Sequence, residues 1–253
     1  MRIAALYDIH GNLPALDAIL AEVELLDVDA IVVGGDVVPG PMPVETIDRV
    51  RALGERARFV MGNADREVVE MFDAGTRVED VPEDWMRMSA WGAGLLDRAR
   101  RDFLAAFAPS VRLEAGDLGP ALFCHGSPRA DTEIITTLTP PERLAPMLAG
   151  VDEPIVVCGH THNQFALEHD GRRVVNAGSV GLPYQGAAAA FWLLLGPDVD
   201  LRRTDYDVEA ALDAMRATGA PGIDEQMHAS LVDPMDAEAV ARTFEERAAA
   251  REA

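Results

Sequence analysis

The chain reads as an α/β protein in which a parallel sheet is covered by helices. Short apolar runs alternate with stretches whose apolar residues recur at helical spacing. The first runs end in polar groups at nearly constant intervals. Asp8 to Asp36 is 28 residues and Asp36 to Asn63 is 27, close to the roughly 30 residues of one strand–helix–strand unit. Apolar residues make up 49% of 253, enough for a sizeable core in one large domain or two small ones.

Arg2–Tyr7 is expected to be a buried strand. Asn12 then has the character of an N-cap, with Pro14 in the first turn of a helix. Leu16, Ile19, Leu20, Val23 and Leu26 follow at helical spacing, and Ala30–Val33 is the next strand. Such units favour parallel pairing. Val44–Leu53 gives a second helix and Arg58–Met61 a third strand. His125 comes 62 residues after Asn63, and that gap holds a helical insert at about 66–110, with helices over Arg66–Phe72 and Trp85–Phe107. Ala121–Cys124 and Pro154–Cys158 are further strands, separated by a short helix near Pro141–Leu148. Phe165–His169 and Arg172–Asn176 flank Asp170-Gly171, a hairpin signal. Ala188–Leu195 and Val199–Arg203 are expected to extend that antiparallel set. The division expected is a domain over 1–205 and a helical extension over 206–253 that packs on it or serves as the arm of a homo-oligomer.

The net charge is −21, from 22 basic and 43 acidic residues. Such a surface repels long polyanions and argues against a nucleic acid polymer as partner. A small anionic substrate is still drawn in where metal charge concentrates. Every basic residue is Arg, which excludes lysine chemistry, the P-loop lysine included. Cys124 and Cys158 are too few for a disulfide framework and sit in apolar runs, as core side chains do. The N-terminus runs straight into the first strand, where signal cleavage would remove Asp8 and His10, and the longest apolar stretch, Ala187–Leu195, is too short for a bilayer. The expectation is a soluble, cytoplasmic protein with no membrane partner.

Five apolar runs each end in residues that ligate metals: Asp8-Ile9-His10, Gly35-Asp36, Gly62-Asn63-Ala64-Asp65, His125-Gly126 and Gly159-His160-Thr161-His162. Four of the six histidines fall there. Carboxylate, imidazole and amide oxygen suit divalent first-row metals. In open α/β sheets, groups just beyond the carboxyl ends of strands converge on one site. Seven ligand groups exceed the needs of one ion and point to two sharing a ligand. Two ions about 3.5–4 Å apart form the clamp used on phosphate esters. Gly11, Gly34, Gly35, Gly62, Gly126 and Gly159 fit the sharp turns such loops need. One such pair alone is usually a turn; five at successive strand ends are hard to explain that way.

In this set the chain resembles the calcineurin-like metallophosphoesterases, whose pattern is D-x-H, G-D, G-N-x-D, G-H or H-G, and G-H-x-H. The likeness covers residues 1 to about 183, in order. Asp8-Ile9-His10-Gly11-Asn12 and Asn176-Ala177-Gly178-Ser179-Val180-Gly181 look most like the small bacterial phosphodiesterase branch. The resemblance implies a two-sheet sandwich flanked by helices, a four-layer αββα arrangement. It implies two divalent transition-metal ions, manganese first, with iron, nickel or zinc as alternatives. Asp8, His10 and His162 would hold one ion and Asn63, His125 and His160 the other, with Asp36 bridging. The catalytic residues implied are Asp36, Asn63 and His125. A hydroxide shared by the ions would attack the phosphorus of a small phosphoester in line with the leaving oxygen.

One departure stands out. Many members carry a histidine after the asparagine, where it helps the leaving group depart; here it is Ala64. A placed acid contributes about 10²–10⁴-fold, so acidic leaving groups should be favoured: aryl esters, nucleotide esters and pyrophosphates. Asp65 is either a partner that orients a ligand or a helix cap. Arg129 and Arg66 are candidate phosphate grips or solvated arginines. Asn12, Asn176 and Ser179 either approach the metals or serve caps and turns. His169 and His228 lie outside all groups. Trp85, Trp91, Met86 and Met88 either wall a pocket or pack the insert. The competing functions are an inactive interaction scaffold on the same fold, as in the retromer subunit this family includes, and a phosphomonoesterase of the serine/threonine phosphatase kind. That kind carries an arginine in its second motif, whereas Gly35-Asp36 here continues as Val37-Val38-Pro39.

Overall fold

A computed structural model describes residues 1–252, and the side chains at 84, 85 and 252 fall outside that description. Ten strands form two five-stranded sheets with helices on their outer faces. In the first sheet the order is β10-β9-β1-β2-β3, where β1 is Ile3–Leu6, β2 Ala30–Val33, β3 Ala57–Phe59, β9 Ala190–Leu195 and β10 Val199–Thr204. In the second it is β4-β5-β6-β8-β7, with β4 Ser110–Glu114, β5 Pro120–Cys124, β6 Ile155–Cys158, β7 Gln164–His169 and β8 Arg172–Ala177. Both sheets are mixed. β1, β2 and β3 pair in parallel, as do β5, β6 and β8, while the flanking pairs are antiparallel.

Strand alternation builds the layers. Ile3, Ala5 and Tyr7 face inward and meet Phe123, Val157 and Val175 of the second sheet. Ala4 and Leu6 face outward, under α1 (Leu13–Val23) and α2 (Pro43–Arg51). α1 starts as expected: Asn12 Oδ1 accepts from Ala15 N at 3.2 Å, and Pro14 lies in the first turn. α3 (Asn63–Ala74), α4 (Asp84–Leu95) and α5 (Arg98–Ala105) follow β3. Phe59 of β3 stacks on Phe107 and meets the edge of Phe103, which ties this helical segment to the sheet. The outer face of the second sheet packs on α6 (Pro141–Met147); Cys124 and Cys158 are free and buried in that layer. α7 (Val208–Ala217), α8 (Ile223–Met227) and α9 (Ala237–Glu252) close the chain. Among the described residues no helix is long and apolar enough to cross a membrane.

Three expectations need correction. β9 and β10 do not extend the β7–β8 hairpin; they enter the first sheet, with β9 antiparallel to β1. The reason lies in β9 itself, which is buried at every position. Ala190, Trp192 and Leu194 fill the outer core, and Leu193 and Leu195 the inter-sheet core. A strand apolar on both faces needs cover on both, and a place between β1 and β10 supplies it. The helix expected over Trp85–Phe107 is two helices, because Asp97 caps α5 by accepting from Arg100 N at 2.8 Å. β4 had no sequence signal; as an edge strand its burial alternates only weakly.

Tyr7 is a wedge between the sheets. It is buried, and its hydroxyl donates to the Val157 carbonyl at 3.2 Å. A Cβ on Gly34 would fall 2.1 Å from its ring. Gly34→Ala is therefore expected to cost about 1–3 kcal/mol by overpacking, read as a lower urea midpoint at unchanged slope. An unchanged midpoint would contradict the wedge.

Candidate metal centre

The loops after β1, β2, β5 and β6 remain joined beyond the strands that carry them. Asp8 N donates to Gly35 O at 3.1 Å and His10 N to Asp36 O at 2.9 Å. Gly159 N donates to His125 O at 2.8 Å, and Gly181 N to Asp8 O at 3.0 Å. This stitching brings groups scattered over more than 150 residues into one cup (Asp8 to His162). Asp8, His10 and His162 place one ligand atom each within 4.8 Å of one another, and so do Asp36, His125 and His160.

The two groups interlock. Asp36 Oδ2 lies 3.4 Å from His125 Nε2 and 3.7 Å from His10 Nε2, so it faces both. Asp8 Oδ1 lies 3.5 Å from His162 Nε2 and 3.8 Å from His125 Nε2. His10 Nε2 and His162 Nε2 are 3.2 Å apart. In three imidazoles the other nitrogen is held by a backbone carbonyl: His10 Nδ1 by Pro39, His125 Nδ1 by Gly34 at 2.9 Å, and His162 Nδ1 by Leu182 at 2.7 Å. That bond fixes Nδ1 as the donor and leaves the Nε2 lone pair aimed into the cup. Asn63 opens α3, and its side chain lines the cavity above the cup. Its Oδ1 is buried and has no hydrogen-bond partner.

Two features mark this cup as built for a guest. Asp8, His10, Asp36, His160 and His162 all have positive φ, between 48° and 66°. That region is uncommon for residues with a side chain and costs about 1–2 kcal/mol each, and such strain concentrates at functional sites. Three buried atoms here have no hydrogen-bond partner: Asp8 Oδ1, Asn63 Oδ1 and His125 Nε2. All are metal-ligand atoms, so the residues fit a bound cation.

The electrostatics agree. Burial alone would raise the carboxyl of Asp8, but the neighbouring His162 and His125 outweigh it and hold the group below the usual range. Asp36 is lowered in the same way by His125, His10 and His160. Burial disfavours charge on His125, yet Asp36 and Asp8 reverse this and push it up to about 10. His162 is raised by Asp8 against its burial. His10 and His160 are pushed down to about 4, by burial first and then by His162 and His125. In each group one imidazole is shifted toward its charged form by a neighbouring carboxylate. Positive charge is thus demanded at two adjacent points.

Above the cup opens a cavity of about 800 Å³. His10, Asp36, Asn63, His160 and His162 line its floor, with Asp8 and His125 beneath. Ala64 lines it too, and its backbone N donates to Asp36 Oδ1 at 2.9 Å. Asp65 both caps and orients: it accepts from Gly62 N at 3.3 Å and Val38 N at 3.0 Å, and burial with the nearby Asp36 pushes it up to about 8. Asn12 donates to Gly181 O and Tyr206 Oη. Asn176 donates to Gly159 O, and Ser179 to Asp8 O. These three prop the ligand loops and do not line the cavity. Arg129 pairs with Glu133, and Arg66 with Asp131 and Glu70; neither lines the cavity. His228 is exposed, and His169 is half-buried beside Asp170. Met88 lines the cavity, Met86 packs in the core, Trp91 does not reach the cavity, and the side chain of Trp85 lies outside the described residues. Of the six glycines, only Gly11 and Gly35 have positive φ. The others serve close approach: a Cβ on Gly62 would meet Asp36 Oδ1 at 2.1 Å.

The sequence reading missed Glu67, Leu182, Tyr184 and the C-terminal residues Pro221, Gly222, Glu225, Gln226, Phe244 and Arg247. Leu182 and Tyr184 follow the Gly-rich Gly178–Gly181 loop, a usable signal. The C-terminal residues carry none, since they are spaced as surface helix residues.

Comparison with known proteins agrees with this geometry. An uncharacterized protein of Methanocaldococcus jannaschii is 25% identical over 235 residues, covering 83% of this chain and 89% of its own. The crystal structure of a metallophosphoesterase from Sphaerobacter thermophilus superposes with a TM-score of 0.70 at 26% identity, covering 91% of this chain and 99% of that one. A hypothetical protein from Pyrococcus horikoshii has a TM-score of 0.77 at 19% identity, over 90% and 96% of the two chains, and so shares the fold. The profile of the calcineurin-like phosphoesterase superfamily domain matches residues 1–195, the stretch that contains both sheets up to β9 and all seven candidate ligand residues. The chain belongs to the calcineurin-like phosphoesterase superfamily.

Proposed function

We propose that the protein is a binuclear metal-dependent phosphodiesterase acting on small or nucleotide-like substrates, close to the small bacterial branch of its family. The observation that carries this reading is the trio of buried, unpaired ligand atoms in one cup, Asp8 Oδ1, Asn63 Oδ1 and His125 Nε2. Asp8, His10 and His162 would hold one divalent ion and Asn63, His125 and His160 the other, with Asp36 shared. Manganese is the first choice, and iron, nickel or zinc suit the same mixed nitrogen and oxygen set. Bound there, the two ions supply Lewis-acid charge to the phosphoryl oxygens and acidify a water.

The chain supplies the rest. The carbonyls of Pro39, Gly34 and Leu182 hold three imidazoles in the ligating tautomer. Ala64 N fixes one oxygen of Asp36 and leaves Oδ2 facing both groups. Ala64 itself faces the cavity and offers no proton, so esters with acidic leaving groups are the better substrates. The likeness to the Sphaerobacter metallophosphoesterase supports the same reading. The net charge of −21 favours a small phosphoester over a nucleic acid polymer. In domain terms, residues 1–205 form the phosphoesterase unit, with the helical insert at about 66–110, and 206–253 is an extension packed on it. A scaffold without activity would have no need of a complete ligand set.

Three experiments test this. Protein purified without chelator should contain close to two transition-metal ions by elemental analysis, and Asp36→Asn should lower that content. Changes one layer behind a ligand cost about 10–100-fold, so loss of the shared carboxylate should cost at least about 100-fold in turnover. Wild-type turnover in metal-replete Asp36→Asn would refute the assignment. With equal concentrations of bis(p-nitrophenyl) phosphate and p-nitrophenyl phosphate, the diester should be cleaved faster; a monoester preference would favour the phosphatase reading. Ala64→His should keep both ions and raise turnover of alkyl esters relative to aryl esters, by up to about 10²-fold if the imidazole protonates the leaving group. Loss of metal in that variant would show that position 64 does not face the substrate.

A further inference from the structure

The cavity is far larger than a phosphoryl group requires. At about 800 Å³ it falls within the range of sites that enclose a drug-sized organic ligand. The ligand cup forms only its floor. The opposite wall comes from α8 and α9, in a part of the chain that contributes no metal ligand.

That wall is fixed in place. Glu245 on α9 accepts from Thr136 Oγ1 at 2.6 Å and Thr139 Oγ1 at 2.7 Å, and pairs with Arg143. Asn163, which directly follows His162, donates to Ala237 O at 3.0 Å at the start of α9. Arg251 Nη1 donates to Thr132 O at 3.1 Å. The helix is thus clamped to the loop after His125 and to the loop that carries His160 and His162. Glu245 immediately follows Phe244 and lies two residues before Arg247, so the clamp also sets these two cavity residues.

The sides of the cavity have a definite chemistry. Tyr184 stacks on His162, with centroids 5.1 Å apart and planes 16° off parallel. Leu182 and Met88 add apolar surface. Phe244 is half-buried, and the Arg247 guanidinium lies over its ring at 5.7 Å. Although the chain carries 43 acidic residues, no carboxylate among the described residues pairs with Arg247. Flat faces flanked by a guanidinium are what a planar, electron-rich ring stacks on.

We propose that the C-terminal extension forms half of the substrate site, with Phe244 and Arg247 selecting phosphoesters whose organic group is a flat aromatic ring system. The proposal rests on the phosphoesterase reading above, since the cup must hold the phosphoryl end.

The test uses two probes that cannot be hydrolysed, the 5′-methylenephosphonate of adenosine and methylphosphonate, titrated calorimetrically into the manganese-loaded protein. Both present a phosphonate to the cup, and only the first reaches the far wall. The adenosine probe should bind roughly tenfold more tightly, the size of one base–aromatic stack. Phe244→Leu keeps most of the volume and removes the ring; Arg247→Gln changes an exposed position and leaves the fold intact. Each variant should erase about three- to tenfold of the difference and leave methylphosphonate binding unchanged. Equal binding of the two probes, or a variant that weakens both alike, would overturn the proposal. Turnover of bis(p-nitrophenyl) phosphate with no ring preference would leave the phosphoesterase reading standing and remove this one. A ring preference without turnover would sink the phosphoesterase reading, and with it the claim that the ring belongs to a phosphoester substrate.

Discussion

Two carboxylates with almost no exposure, Asp8 and Asp36, face a shared set of imidazoles, and among the described residues their ion-pair partners are all histidines. An ionised carboxylate in a dry interior is costly unless positive charge stands beside it. Much of the local architecture follows from meeting that demand at two neighbouring points. The histidines turn their Nε2 atoms inward because carbonyls hold the opposite nitrogens. Where ligand atoms crowd together without hydrogen bonds, as at Asp8 Oδ1 and His125 Nε2, the gap is one that a cation closes.

Holding the carboxylates so close requires a rigid surround. Five of the seven candidate ligand residues are in left-handed conformations, and each would relax if its loop were free. They stay because the strands behind them are packed on both faces. Tyr7 wedges the sheets apart beneath the cup, and the Gly34 and Gly159 loops press against its ring with no room for a Cβ. The strain is local to the site, and the packing that opposes it is spread through two cores.

The extension after β10 changes how the molecule is divided. By sequence it looks like an appendage. In space its last helix is clamped by Glu245 to the segment after His125 and by the Ala237 carbonyl to Asn163 beside His162, and it closes one side of the cavity. The chemistry at the cup and the shape of what reaches it are therefore set by different segments: the cup by the ends of strands common to the superfamily match, the far wall by residues beyond residue 195, where that match stops.

The ligand groups were legible because each is a short string in which the chemistry sits beside the strand that delivers it, as in Cys158-Gly159-His160-Thr161-His162. The βαβ spacing told that these strings end on one side of a sheet. The sequence could not say which sheet β9 joins, since a strand apolar on both faces fits equally well wherever both faces are covered. Nor could it reveal β4, whose edge position leaves little pattern. The candidate ligands were thus named by local sequence, because metal chemistry depends on residue type. The interlocking of the two groups, the left-handed backbone, and the approach of Tyr184, Phe244 and Arg247 were decided only by tertiary packing, because they depend on distances between residues far apart in the chain.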